Sequence, residues 1–286
     1  MRKWPKFYET NKLIKSADRG LGLLFFSNSL PLIAMVLKSV SDLIGAANES
    51  ADKFKSIPWW RGHADDAWTL LPGIFRNKER AQTETLLTAE FMRHAPVLYS
   101  NCPAEKSWTD WLFLMQHYRL YTRLLDWTES LLIATFFAVN QYPDKPGAVW
   151  ALNPMRLNSS QGLEEIVPRY CGENVHELFK EAFFGPKQGT RNRKQILGVA
   201  PSLVDFRMIA QSAASTIHGG NHPLEKMANN PEFLLKFEIP SDAKATFKEE
   251  LSLLGIKRSY LFPDLENLAG FLNDRGATFI RQQKRE

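Results

Sequence analysis

Apolar positions along this chain fall into helix-like stripes separated by a few short extended runs. Ile33, Val36, Leu37, Val40, Leu43 and Ile44 recur at helical spacing behind Pro31, which a first turn tolerates, and predict a helix closed by the polar stretch 48–56. Ile57-Pro-Trp-Trp-Arg-Gly then predicts a short extended segment stopped by its glycine. A helix is expected over about 82–99, with Leu87, Phe91, Ala95 and Leu98 inward. The next begins at Ser107, whose Ser-x-x-Asp spacing to Asp110 is a capping-box-like signal, and carries a stripe of Trp108, Trp111, Leu112, Met115 and Tyr118. Residues 131–139 are apolar almost throughout and predict a buried helix, with Thr128 and Ser130 able to cap it.

Further along, a Pro146-Gly147 turn leads into a strand at 148–152, and 233–239 alternates like a second strand. Thr246-Phe-Lys-Glu249 has the form of a capping box for a helix that stops at Gly255, and Asp264 begins a last helix ending near Gly276. Residues 1–30 suggest no clear element. No internal repeat and no long linker divides the chain. The expectation is therefore one α+β domain over residues 37–275, with an N-terminal helical extension (1–36) and a basic C-terminal tail (276–286).

Composition narrows the class. With 286 residues, 44% hydrophobic and 12% aromatic, the chain has enough apolar surface to exclude a disordered or low-complexity protein. Two cysteines, Cys102 and Cys171, exclude a disulfide scaffold and a four-cysteine zinc site, and point to a reducing cytoplasm. The apolar stretch 21–37 starts too late for a signal peptide and is interrupted by Ser27, Asn28, Ser29 and Pro31, so no membrane partner is expected. A formal charge of +5 permits an anionic partner without requiring one.

Several side chains carry candidate chemistry. Arg61 lies between two tryptophans and a glycine, where a semi-buried guanidinium needs an anion or carbonyl. A bound ligand and a structural ion pair with Asp126 both satisfy it. In Thr122-Arg-Leu-Leu-Asp-Trp-Thr128, Arg123 and Asp126 can converge on one ligand while Thr128 caps a helix start whose N–H groups face an anion. The alternative is that Asp126 and Thr128 are caps alone. His117 ends an amphipathic helix and is either a general acid or base or a satisfied core histidine. The histidines lack metal-ligand spacing, and no Cys-x-x-Cys, phosphate-cradling glycine loop or Gly-x-Ser-x-Gly elbow occurs, so no metal is expected. Basic residues at 187–194 and 275–285 leave nucleic acid open as a partner, or are solvated loop and tail.

Three blocks, Trp60-Arg-Gly-His63 (with Trp68, Pro72 and Arg76), Met115-Gln-His-Tyr118 running into Thr122–Thr128, and Leu261-Phe-Pro-Asp-Leu265, together with Gly147-Ala-Val-Trp-Ala-Leu-Asn-Pro154, resemble the FRG domain family. The likeness spans about 37–272. Departures from the family pattern are Trp60 for Phe/Tyr, His63 for Gln, Arg119 and Tyr121 where Gly and Pro usually flank the second block, and Ser212 for Gly after Arg207-Met-Ile-Ala-Gln211. A weaker resemblance to the ADP-ribosyltransferase fold implies a mixed, split β-core surrounded by helices. It implies Arg61 on the pyrophosphate of NAD, Thr128 at the nicotinamide ribose, and Trp59, Trp60 and Trp127 around the nicotinamide ring. No glutamate occupies the usual catalytic position; Gln211 is nearest, leaving Asp126 or Glu129 to act. What these resemblances imply is a nucleotide-handling effector of bacterial defence or toxin systems, an NAD-dependent ADP-ribosyltransferase or NAD glycohydrolase acting on an unidentified macromolecular acceptor. The catalytic set would be Arg61, His117, Asp126 and Gln211, with Arg61, Arg123, Thr128 and Trp127 binding NAD at the same site. The competing class is a non-catalytic nucleic-acid- or protein-binding module.

Overall fold

A computed structural model describes residues 33–168, 173–185, 194–201 and 205–283. Seven strands form one sheet: β1 (Ile33–Val36), β2 (Trp59–His63), β3 (Leu124–Thr128), β4 (Gly147–Leu152), β5 (Ile196–Val199), β6 (Ala213–His218) and β7 (Leu234–Ile239), in the order β1-β7-β4-β2-β3-β6-β5. Every neighbouring pair is antiparallel except β1 with β7, so the sheet is mixed. The helices among the described residues are α1 (Asp42–Phe54), α2 (Lys78–Gln82), α3 (Glu84–Leu98), α4 (Trp108–His117), α5 (Leu131–Val139), α6 (Pro154–Ser160), α7 (Glu173–Phe184), α8 (Phe206–Ala210), α9 (Asn230–Phe233), α10 (Lys244–Leu253), α11 (Arg258–Leu261) and α12 (Leu265–Gln283). The architecture is α+β. Among the described residues, no helix is long and apolar enough to cross a membrane.

Strand β4 is buried along its whole length, which is why it reads as an unbroken apolar run. Its Val149 and Ala151 join Trp60, Phe237 and the residues of α5 and α10 on one face of the sheet. Its Ala148, Trp150 and Leu152 join Trp59, Leu125 and Trp127 on the other. A third cluster packs α4 and α7 against β5 and β6. Helix α5, apolar all round, lies directly on β2: a Cβ built at Gly62 would sit 1.9 Å from the Ala134 carbonyl oxygen and 2.6 Å from the Ala138 nitrogen. Gly62 therefore does not stop the strand. It makes room for the helix.

The sheet is continuous but thinly joined between β2 and β3. β2 holds five register pairs with β4, and β3 holds five with β6, but β2 and β3 share only Trp60 with Thr128. Past that pair the two halves part, leaving Arg61 and Asp126 beside the gap.

Several elements differ from the sequence expectation. Residues 33–36 are a strand, because they pair in parallel with β7, and the helix begins only at Asp42, whose carboxylate accepts the N–H groups of Lys38 and Ser39. That helix runs through the polar stretch to Phe54. Leu98 points to solvent, 86% exposed, and Tyr118 is also exposed. Ser107 makes no side-chain cap bond, and Thr246 lies inside α10, which starts at Lys244. Lys244 is buried, its ammonium donating to the carbonyls of Ala64, Gln141 and Tyr142, and this cage sets the helix start one residue after Ala243. Asp264 does cap the last helix, accepting from the Asn267 N–H at 2.7 Å, but α12 runs on to Gln283, across the expected 275/276 boundary. The extension over 1–32 and the basic loop at 187–193 lie outside the described residues.

Candidate functional site

Where β2 and β3 part, the Arg61 side chain bridges the gap. Its Nη1 donates to the main-chain carbonyl of Asp126, and its Nε donates to His63 Nε2 at 3.1 Å. The anticipated partner is thus met through its backbone, which leaves the Asp126 carboxylate to other groups. His63 is buried, and desolvation together with the charges of Arg61 and Arg76 holds its pKa well below the usual histidine range. Since Nε2 accepts, the neutral ring carries its proton on Nδ1. Burial pulls Arg61 down to about 10 against the attraction of Asp126, so it stays a cation at neutral pH.

A chain of polar groups aims the Asp126 carboxylate. Gln116 Nε2 stands 3.0 Å from both of its oxygens, Thr122 donates its hydroxyl to Gln116 Oε1 at 2.5 Å, and Leu124 N–H donates to Thr122 Oγ1 at 3.1 Å. The second block of the sequence therefore works as a unit that links α4 to β3. Behind it, Trp127 Nε1 donates to Thr216 Oγ1, whose hydroxyl then turns to His218 Nε2, each at 3.1 Å. Burial drives the His218 pKa down to about 3.

Arg61, Asp126 and Trp127 border a cleft of about 400 Å3. Arg61, Arg119, Arg207 and Arg258 line it, with Asp126 as the single carboxylate among its lining residues. Its apolar walls are Trp60, Trp68, Phe137 and Phe262. The guanidiniums of Arg207 and Arg258 stack on Phe262, 4.6 and 4.8 Å from the ring centre, while Arg258 Nε donates to Asn267 at 2.8 Å. Burial and the neighbouring Arg119 charge both lower the Arg207 pKa. Arg119 holds φ at 65°, a left-handed conformation that favours glycine.

Of the expected site residues, Arg61, Asp126, Trp127, Thr128 and Gln211 line this cleft. Thr128 is engaged internally: its hydroxyl donates to the Gln211 carbonyl at 2.7 Å and accepts from Ser130 N–H. Ser130 caps α5, so the side chains at 128 and 130 take up N–H groups at the helix start instead of leaving them to an anion. The Gln211 amide donates to the Leu261 carbonyl at 2.9 Å, which ties the third sequence block to the cleft and needs an N–H that a glutamate lacks. Glu129 is exposed and does not line the cleft.

Two expected residues lie elsewhere. Arg123 is buried and points away, forming a fork with Glu84 at 2.9 and 2.6 Å and reaching Glu181 at 3.2 Å. It is a structural cation, because two acids from α3 and α7 converge on it. His117 lies in an adjoining groove with Asp205. Sequence reasoning missed Arg119, Arg207, Arg258, Gln116 and the His63 acceptor as site groups. Gln116 and His63 stood inside recognised blocks, while nothing in the local pattern around Arg258 marks it.

Residues 56–146 match the family model of the FRG domain. This segment holds β2, α4, β3 and α5, with Arg61, Gln116 and Asp126, whereas Arg207, Gln211 and Phe262 lie beyond it. Among curated proteins and among solved structures, nothing matches the chain.

Proposed function

Taking the FRG domain of residues 56–146 as the premise, we propose that the cleft binds a nucleotide with a pyrophosphate, of which NAD and ADP-ribose are the test ligands. The observation that carries this reading is four arginines facing one carboxylate in a cleft with aromatic walls. Guanidinium forks match phosphate oxygens two at a time, and the aromatic faces suit a flat base or ring. Desolvation of Arg61 and Arg207 strengthens their pull on an incoming anion, since little water competes.

The chemistry proposed at the Arg61 end is cleavage of the N-glycosidic bond of NAD, by hydrolysis or by transfer to an acceptor. Asp126 is the cleft carboxylate that can face the positive charge growing on the ribose, and Gln116 keeps it in place. Gln211 is committed to Leu261 and plays no such part. In the bacterial defence or toxin setting that the resemblance implies, the outcome would be loss of NAD or modification of a target.

The test is calorimetric titration of the folded chain with ADP-ribose and NAD, together with a nicotinamide-release assay. Arg207→Gln and Arg258→Gln should each weaken binding about 10- to 100-fold, the worth of a charge-assisted hydrogen bond. Asp126→Asn should abolish nicotinamide release while sparing affinity. A wild-type chain that binds neither nucleotide removes the reading. Binding without nicotinamide release removes only the glycosidic step.

A further inference from the structure

The groove beside the cleft is built around a histidine that the cleft does not use. His117, the last residue of α4, places Nδ1 2.8 Å from Oδ2 of Asp205. The other oxygen of that carboxylate accepts the Met208 N–H at 3.0 Å and caps α8, so Asp205 is held from two sides. A neutral His117 must then keep its proton on Nδ1, which leaves the lone pair on Nε2. The ring is 19% exposed and borders a groove of about 400 Å3.

Arg119 and Arg207 line both this groove and the cleft, so the two hollows share a pair of guanidiniums. Burial, Arg207 and Arg119 together outweigh the pull of Asp205 and lower the His117 pKa, which keeps the ring neutral at pH 7. Arg119 also keeps its left-handed backbone at this shared wall, the kind of strain that collects at ligand sites. A neutral base flanked by two cations is arranged to work beside an anionic centre.

We propose that His117, oriented by Asp205, is the general base of a phosphoanhydride-hydrolysing site, removing a proton from water that attacks a phosphorus held by Arg119 and Arg207. The inference rests on the pyrophosphate reading of the cleft and adds a bond to those it can break. The water oxygen forms the new P–O bond, and the bridging P–O bond breaks with its electron pair staying on the departing phosphate. One water proton passes to His117 Nε2 and returns to the leaving phosphate or to solvent. No electron changes hands. ADP-ribose yields AMP and ribose 5-phosphate; NAD yields AMP and nicotinamide mononucleotide. Asp205 is a positioning residue.

The experiment follows AMP release from ADP-ribose by the full chain between pH 5 and 9, with affinity and melting measured alongside. His117→Asn should lower the rate at least about 100-fold with affinity retained. Asp205→Asn keeps an N-cap on α8 but loses the charge that raises the His117 pKa, so the acid limb of the rate should move to lower pH. The groups facing His117 in this assignment are Asp205 and Arg207 on the α8 side, Tyr118 and Arg119 after α4, and Asp264 before α12. A wild-type chain that binds ADP-ribose yet releases no AMP overturns the inference and leaves the cleft reading standing. AMP release by His117→Asn at the wild-type rate overturns it too, as does an unshifted acid limb in Asp205→Asn. Should His117→Asn fail to fold, the wild-type profile decides, because a rate without an acid limb below pH 7 excludes this base. Absence of ADP-ribose binding removes both readings together.

Discussion

Arg119 and Ser212 share one backbone geometry, with φ at 65° and 45°. They are the two places where the resemblance to FRG proteins puts a glycine and this chain does not. An L-residue there costs about 1 kcal/mol that glycine avoids. The cost is explained at Arg119 by its side chain, which lines the cleft and the groove. At Ser212 the main-chain carbonyl is the working group, accepting from Glu129 N–H. Arg119→Gly should therefore stabilise the fold by about 0.5 kcal/mol, after the added freedom of the unfolded chain is subtracted, yet weaken ADP-ribose binding about tenfold. Ser212→Gly should give the same gain with native affinity. Denaturant melts and titrations of the two variants settle the matter. Native affinity in Arg119→Gly would show that the strained arginine serves no ligand.

How far the fold was legible depended on whether a local pattern had one solution. Helix α5 and strand β4 were readable because each is largely buried and almost continuous in apolar residues. β1 was misread because positions 33, 36 and 37 fit a helix stripe, and only its pairing with β7, some 200 residues away, decides otherwise. The Thr246–Glu249 pattern was a decoy, since the three carbonyls around the Lys244 ammonium start α10 before it. In the site, Arg61 and Asp126 stood out by sequence. Arg123 looked equally exposed to a ligand, but its partners Glu84 and Glu181 lie 39 and 58 residues away and no spacing rule links them. The arginines of the far wall come from α8 and α11, after the segment that matches the family model.

That misplacement makes Arg123 a test of structure against function. Its guanidinium pairs with two carboxylates in a dry setting, and the pair with Glu84 is a two-bond fork. Arg123→Met leaves both acids buried without a partner, which typically costs about 3–5 kcal/mol. The melting temperature should fall sharply, while the folded fraction retains wild-type ADP-ribose affinity. Adding Glu84→Gln and Glu181→Gln to the variant should recover part of the loss. A variant that melts normally but no longer binds nucleotide would return Arg123 to the site.

Acid should undermine the same structure from behind the cleft. His63 and His218 are buried and neutral, with pKa values driven below the ordinary 6.5, the latter to about 3. The unfolded chain thus binds protons that the folded one refuses, and stability falls as pH drops below 6.5. Each histidine contributes a slope of up to about 1.4 kcal/mol per pH unit, fully relieved only above pH 6.5. Asp42 and Asp65, with pKa values lowered from 3.8, titrate below the window between pH 4.5 and 6.5; within it His117 and His222, also lowered, add to the decline, and Glu225, raised by burial, opposes it. Folded His63 stays neutral over this range and keeps the lone pair that receives Arg61 Nε, so the Arg61 bridge should persist in the folded chain while its stability declines. Chemical denaturation at half-unit pH steps should show this decline, and His218→Asn, which can still accept from Thr216, should reduce its slope by up to about 1.4 kcal/mol per pH unit. A stability flat from pH 6.5 to 4.5 would mean that the two rings accept protons without disturbing the sheet.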